Sequence, residues 1–84
     1  MNMNIKDLDT LDRLSTGSQG VILSFSQDCP DTTKRLLSQY GLTKGCWVML
    51  QFRNPWNDLI AIQLPNALIA IRDTEAKYIN VRMY

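Results

Sequence analysis

The sequence predicts a small, mainly β barrel of about five strands, with one α-helix inserted after the first strand. Three observations predict it. Short apolar runs rich in β-branched residues recur between turn residues: "GSQGVILSFS" (17–26), "CWVMLQF" (46–52) and "YINVRM" (78–83). Glycines stand at the corners between them, at Gly41 and Gly45 above all. A single stretch, "CPDTTKRLLSQYG" (29–41), carries apolar residues at helical spacing. Curved strands this short commonly close into a barrel, and periodicity alone fits an SH3-like or an OB-like one.

Residues 1–10 read as an N-terminal lead-in and 11–84 as the domain. The first strand lies within 17–26. Pro30 and Asp31 are residues that start helices, and Leu36, Leu37 and Tyr40 form one apolar stripe. Gly41 falls where that helix must end in a left-handed residue, with Leu42 next and packed back on Leu37. Gly45 falls at the third position of a turn through Thr43 and Lys44, where a type II turn needs positive φ. Two backbone reversals within five residues account for two glycines.

In the strand 46–52, Val48, Leu50 and Phe52 share one face, and Trp47, Met49 and Gln51 share the other. "RNPWND" (53–58) reads as a loop, since Pro55 cannot donate to a ladder. "LIAI" then occurs twice, at 59–62 and 68–71, about the turn residues Pro65 and Asn66. A hairpin folded there pairs Ile62 with Ile69, Ile60 with Ile71 and Ala61 with Ala70, so the isoleucines make a core face. Asp73 is placed to cap a single helical turn through Glu75 and Ala76. Ile79 and Val81 alternate in the last strand.

Composition excludes several function classes. The net charge is +1, with no basic run, so there is no nucleic-acid footprint or polybasic membrane patch. No apolar stretch approaches the roughly 18 residues of a membrane span, so no direct membrane insertion is expected. "MNMNIKDLDT" lacks the apolar core of a signal peptide, and the expected compartment is the cytoplasm. The chain has no histidine, which removes the commonest general base and metal ligand. A nucleophile would lack a Cys-His or Ser-His pair, and "TGSQG" (16–20) lacks the lysine and glycine count of a phosphate loop. The carboxylates Asp28, Asp31, Asp58 and Asp73 fall at caps and turns. The chain reads as a non-enzyme.

A family resemblance lies in the order of three segments, "LDRLSTGSQGVILSF", "KRLLSQYGLTKGCWVML" and "IAIRDTEAKYINV". Together they resemble the FeoA family, the ferrous iron transport A proteins. Leu11, Leu14 and Gly17 match its opening turn, and Gly20, Ile22 and Phe25 its first strand. Arg35, Leu36, Gly41, Leu42 and Gly45 match its Arg-Leu helix end followed by Gly-Leu-x-Pro-Gly. Ile69-Ala70-Ile71-Arg72, Glu75-Ala76, Ile79 and Val81 match its final strands. Lys44 stands where the family usually has proline. The resemblance implies an SH3-like domain and a cytosolic, non-catalytic accessory role in ferrous iron uptake. The implied partner is the membrane transporter FeoB; no cofactor is implied. The barrel also resembles the C-terminal domain of iron-dependent repressors of the diphtheria-toxin-repressor type, so a free-standing regulatory domain is the alternative. A small metal carrier is a further one, and a homo-oligomer is compatible with any of them.

Three residues are expected to form the partner surface: Trp47 and Met49, opposite the core face of their strand, and Trp56 in the following loop. Tryptophan anchors interfaces, and methionine adapts to a partner's shape. The competing reading of Trp47 is that the helix or the lead-in covers it and makes it core. No metal site is expected. Cys29, within "DCPD" (28–31), and Cys46 are the weak candidates for a soft divalent ion, two thiols where a stable site needs three or four ligands.

Overall fold

The computed structural model describes residues 8–84, and most of the lead-in, residues 1–7, lies outside them. Six strands form one antiparallel sheet. They are β1 (Leu8–Thr10), β2 (Gln19–Phe25), β3 (Trp47–Asn54), β4 (Leu59–Leu64), β5 (Ala67–Arg72) and β6 (Ile79–Met83), in the order β1-β6-β2-β3-β4-β5. The helix α1 (Asp31–Gln39) joins β2 to β3, and a single turn, α2 (Asp73–Ala76), joins β5 to β6. The mainly β architecture is the expected one. A three-residue strand at the end of the lead-in precedes the five expected strands, so the helix follows β2.

The sheet curls around one core. Ile22, Val48, Leu50, Ile60, Ile62, Ile71, Ile79 and Val81 point into it from five strands, and Leu11, Leu14, Leu37 and Leu42 fill its open side. At roughly 25 cal/mol per Å² of apolar area, each such side chain stabilises by about 1.5–3 kcal/mol on burial. The helical stripe is narrower than its spacing suggests. Leu37 is buried, whereas Tyr40 is exposed.

The corner after α1 forms as its two glycines dictate. Gly41 has φ +99°, and its N–H donates to Ser38 O at 3.0 Å while the Leu42 N–H donates to Leu37 O at 3.1 Å. That pair of bonds closes the helix in a Schellman motif. Leu37 and Leu42 are both fully buried, which supplies its hydrophobic contact. Gly45 has φ +86°, and the Cys46 N–H donates to Thr43 O across the turn. Gly45 N–H also donates to Ile22 O at 2.7 Å, and Ile22 N–H to Cys46 O at 2.9 Å. The corner is thereby fastened to β2, and it delivers Trp47 opposite Val21.

The two "LIAI" copies pair as the hairpin requires: Ile62 with Ile69, Ile60 with Ile71, and Ala61 with Ala70. Three expectations are corrected. Phe52 is 54% exposed and not on the core face. The β3–β4 register shifts between Leu50, opposite Ile62, and Phe52, opposite Ala61. A bulge at Gln51 inserts one residue, which reverses the faces of everything after it. Secondly, "RNPWND" is not all loop, because β3 runs on through Arg53 and Asn54 before the turn at 55–58. Pro55 follows the strand's last residue and so costs the ladder nothing. Thirdly, Asp73 is the first residue of α2 and not its cap. Arg72 occupies that position, and its N–H donates to Glu75 Oε1 at 2.9 Å.

Candidate functional site

The outer face of β3 begins with Trp47 and Met49, both half-buried, and continues after the bulge with Phe52. Trp47 sits opposite Val21, and its indole N–H donates to Gln19 Oε1 at 3.1 Å. Met49 lies between Gln19 on β2 and Gln63 on β4. Across from Phe52, Ala61 is buried and Ala70 beyond it is exposed. Trp47 is therefore neither core nor free. Its indole N–H is held by Gln19, and the half-buried residue shares its face with Met49 and Phe52. α1 does not bury it.

Trp56 stands apart from this face. It lies in the turn at 55–58 and is 91% exposed. The turn is tied by Asn54, whose Oδ1 accepts from the Trp56 N–H at 3.1 Å and whose carbonyl accepts from Asn57 N–H at 3.2 Å. Trp47 starts β3 and Trp56 lies beyond its end, so about 23 Å of strand separates them at 3.3 Å per residue. Phe52 is the aromatic that joins Trp47 and Met49. Strict alternation hid it, and only the bulge exposes it.

Past the bulge Arg53 lies opposite Ile60 and stays exposed. Its guanidinium donates to the carbonyls of Leu14, at 2.6 Å, and Asp12, and pairs with Asp73 at 3.5 Å. One side chain thus ties the segment after β1 to the start of α2. A loop at 53–58 predicts no such role for it, because the contacts span about 40 positions of chain.

The two cysteines serve different parts of the fold. Cys29 is buried and its thiol donates to Pro30 O at 3.5 Å; the Cys46 thiol donates to Trp47 O at 3.4 Å. Burial pushes both thiols up from their ordinary pKa. At Cys29 the Lys34 ammonium opposes burial, whereas Asp28 and Asp31 reinforce it. Asp28 itself is held below the usual carboxylate range by the Ser26 hydroxyl and by its own backbone N–H. Among the described residues, no three Cys, Asp or Glu side chains come together as a metal site. No helix among them is long and apolar enough to cross a membrane.

The FeoA domain profile matches residues 10–83. Comparison with curated protein sequences gives no match. Among solved structures, an iron uptake regulatory protein (FeoA) is similar at 21% identity and a TM-score of 0.77, over 92% of this chain and 97% of that one. The zinc-complexed FeoA of Stenotrophomonas maltophilia, described as a prokaryotic SH3 domain protein, is similar at 27% identity and a TM-score of 0.72. That match covers 86% of this chain and 87% of that one. A manganese-dependent transcriptional repressor in complex with manganese has the same fold in one part: 17% identity and a TM-score of 0.84, over 92% of this chain but 37% of the repressor. The profile covers nearly the whole described chain. The chain belongs to the FeoA family, SH3-like accessory proteins that are not enzymes.

Proposed function

We propose that this protein is a cytoplasmic accessory of ferrous iron uptake that binds the membrane transporter FeoB through the outer face of β3. Family membership supports the transporter as partner. The observation that carries the surface is the run of Trp47, Met49 and Phe52 on one face, with Phe52 more than half exposed where a core residue would be buried. Aromatic and methionine side chains are enriched at interface centres, where truncation of one anchor commonly costs 2 kcal/mol or more of binding. Trp56 is a second, separate contact at the turn after β3.

Co-purification with the transporter from iron-limited cells tests this. Wild type is expected to be retained, and Phe52→Ala and Trp47→Ala to be lost while both variants stay folded by circular dichroism. Retention of both folded variants would remove the outer face of β3 from the interface. The repressor-like fold favours a second reading, a regulatory domain independent of the transporter. Failure of wild type itself to co-purify would favour it. A metal-carrier role requires joint ligation by Cys29 and Cys46, and stoichiometric iron in purified protein would support it.

A further inference from the structure

β5 is the last strand of the sheet order, and its outer edge has no strand beside it among the described residues. The hydrogen-bond parity of that edge is fixed at both ends. Leu64 and Ala67 close the two-residue hairpin and so form a bonded pair. Six residue pairs later, Asp73 N–H donates to Asp58 O at 2.8 Å. Ala67, Ile69 and Ile71 therefore bond inward to β4, and the N–H and C=O groups of Leu68, Ala70 and Arg72 face outward. The Arg72 N–H is already taken by Glu75. Among the described residues Leu68 and Ala70 remain, each with a free donor and a free acceptor two residues apart.

Nothing in β5 blunts this edge. Ala67–Ile71 contains no charge, no proline and no bulge, whereas the opposite edge, β1, is three residues long and carries Asp9. Natural sheets usually protect an edge with such devices, because an unpaired edge templates another strand. Leu68 is 55% exposed and Ala70 is exposed, so the edge is open to approach.

We propose that this edge pairs with the same edge of a second copy of the chain, antiparallel about a two-fold axis at Ile69. The free groups select that register. With Ile69 facing its own copy, Leu68 lies opposite Ala70 of the second copy and Ala70 opposite Leu68. All four free donors and all four free acceptors can then be used once each, in four hydrogen bonds. Arg72 falls opposite Asn66, so no like charges meet, and a net charge of +1 gives little repulsion between copies. The result is a continuous sheet across an isologous interface. The join is small, well below the about 1,200 Å² of stable complexes, so the dimer is a weak one. It stands apart from transporter binding, which uses the face of β3.

Sedimentation equilibrium and amide exchange on the full chain, from about 10 µM to about 1 mM, test it, since a weak dimer has a Kd in that range. The dimer fraction is expected to rise with concentration, with exchange slowing at least about 10-fold at Leu68 and Ala70 and not in β1. Ala70→Pro removes a donor that faces away from β4, and an edge strand accepts proline there. It is expected to weaken association at least about 10-fold, because it deletes two of the four bonds. Leu68→Lys brings two like charges together across the axis and is the second variant should the proline disturb the fold. Wild type that stays monomeric at the highest concentration would overturn the proposal. So would a dimer that survives both variants, or protection of Leu68 and Ala70 that arises only on adding another protein.

Discussion

Replacing Arg53 by methionine removes a guanidinium and keeps the length of its aliphatic stem. The loss has three parts. Two charge-assisted bonds run to the main-chain carbonyls of Asp12 and Leu14. Bonds to charged groups contribute about 1.5–3 kcal/mol each when shielded. The Arg53 side chain is 35% exposed, so water replaces part of each, and about 1 kcal/mol apiece is a fair allowance. The third part, the pair with Asp73 at 3.5 Å, is half open to solvent and adds about 0.5 kcal/mol at most. The expected cost is therefore about 2–3 kcal/mol, a large share of the stability of a domain this size. Urea unfolding should show it as a lowered midpoint at constant m. In a thermal scan the Tm should drop by about 10–20 °C. Asp73→Asn should cost only about 0.5 kcal/mol, which separates the carbonyl contacts from the ion pair. Amide exchange should quicken in residues 11–18, the segment the guanidinium holds. A methionine variant within 0.5 kcal/mol of wild type would refute the reasoning and leave Arg53 as a surface residue.

The remaining predictions concern the corner, the metal and the thiols. Gly41→Val places a β-branched residue at φ +99°, and a loss of at least about 1–2 kcal/mol is expected in the urea midpoint; no change would deny the helix end its left-handed residue. Gly45→Ala meets no atom within 4 Å, so its cost is conformational strain alone, about 1 kcal/mol. Melts with and without a strong chelator should coincide, since no three ligating side chains come together among the described residues; a lower Tm on chelation would promote Cys29 to a ligand. Because burial raises both thiol pKa values, iodoacetamide at mildly alkaline pH should alkylate native Cys29 and Cys46 more slowly than the urea-unfolded chain. Equal rates would contradict that.

How much of this was legible in the sequence varies with the range of the forces involved. The corner at Gly41 and Gly45 and the hairpin about Pro65 and Asn66 are local. Glycine's freedom at positive φ, and a palindromic run on either side of a two-residue turn, decide them within a few residues. The family resemblance rested on the same local features in order, which is why it carried the fold. The bulge at Gln51 is different. Nothing in "MLQFRN" marks the extra residue, because it is set by how β3 must bend to keep Leu50 on Ile62 while the other end of the strand closes the hairpin at Asn54 and Leu59. Period-two reasoning therefore held for Val48 and Leu50 and failed for Phe52, while Arg53, read as loop, lies in the strand. The expected surface of Trp47, Met49 and Trp56 omits Phe52 for that reason, and Trp56 lies at the far end of the strand from the other two. The Arg53 contacts join residues about 40 positions apart in the chain, beyond the reach of any pattern.

The extra residue in β3 also limits how the length of the chain can vary. Most surface loops tolerate gain or loss of a residue, since closing a slightly longer loop costs little. Between Leu50 and Arg53 that tolerance is absent. A chain lacking Gln51 would bring Phe52 to the inner side and turn Arg53 to the other face. The core would receive an added ring, and the carbonyls of Asp12 and Leu14 would lose their donor. A one-residue gap at this point in an aligned relative is thus an exchange of inside for outside, and it should be accompanied by compensating changes at both positions.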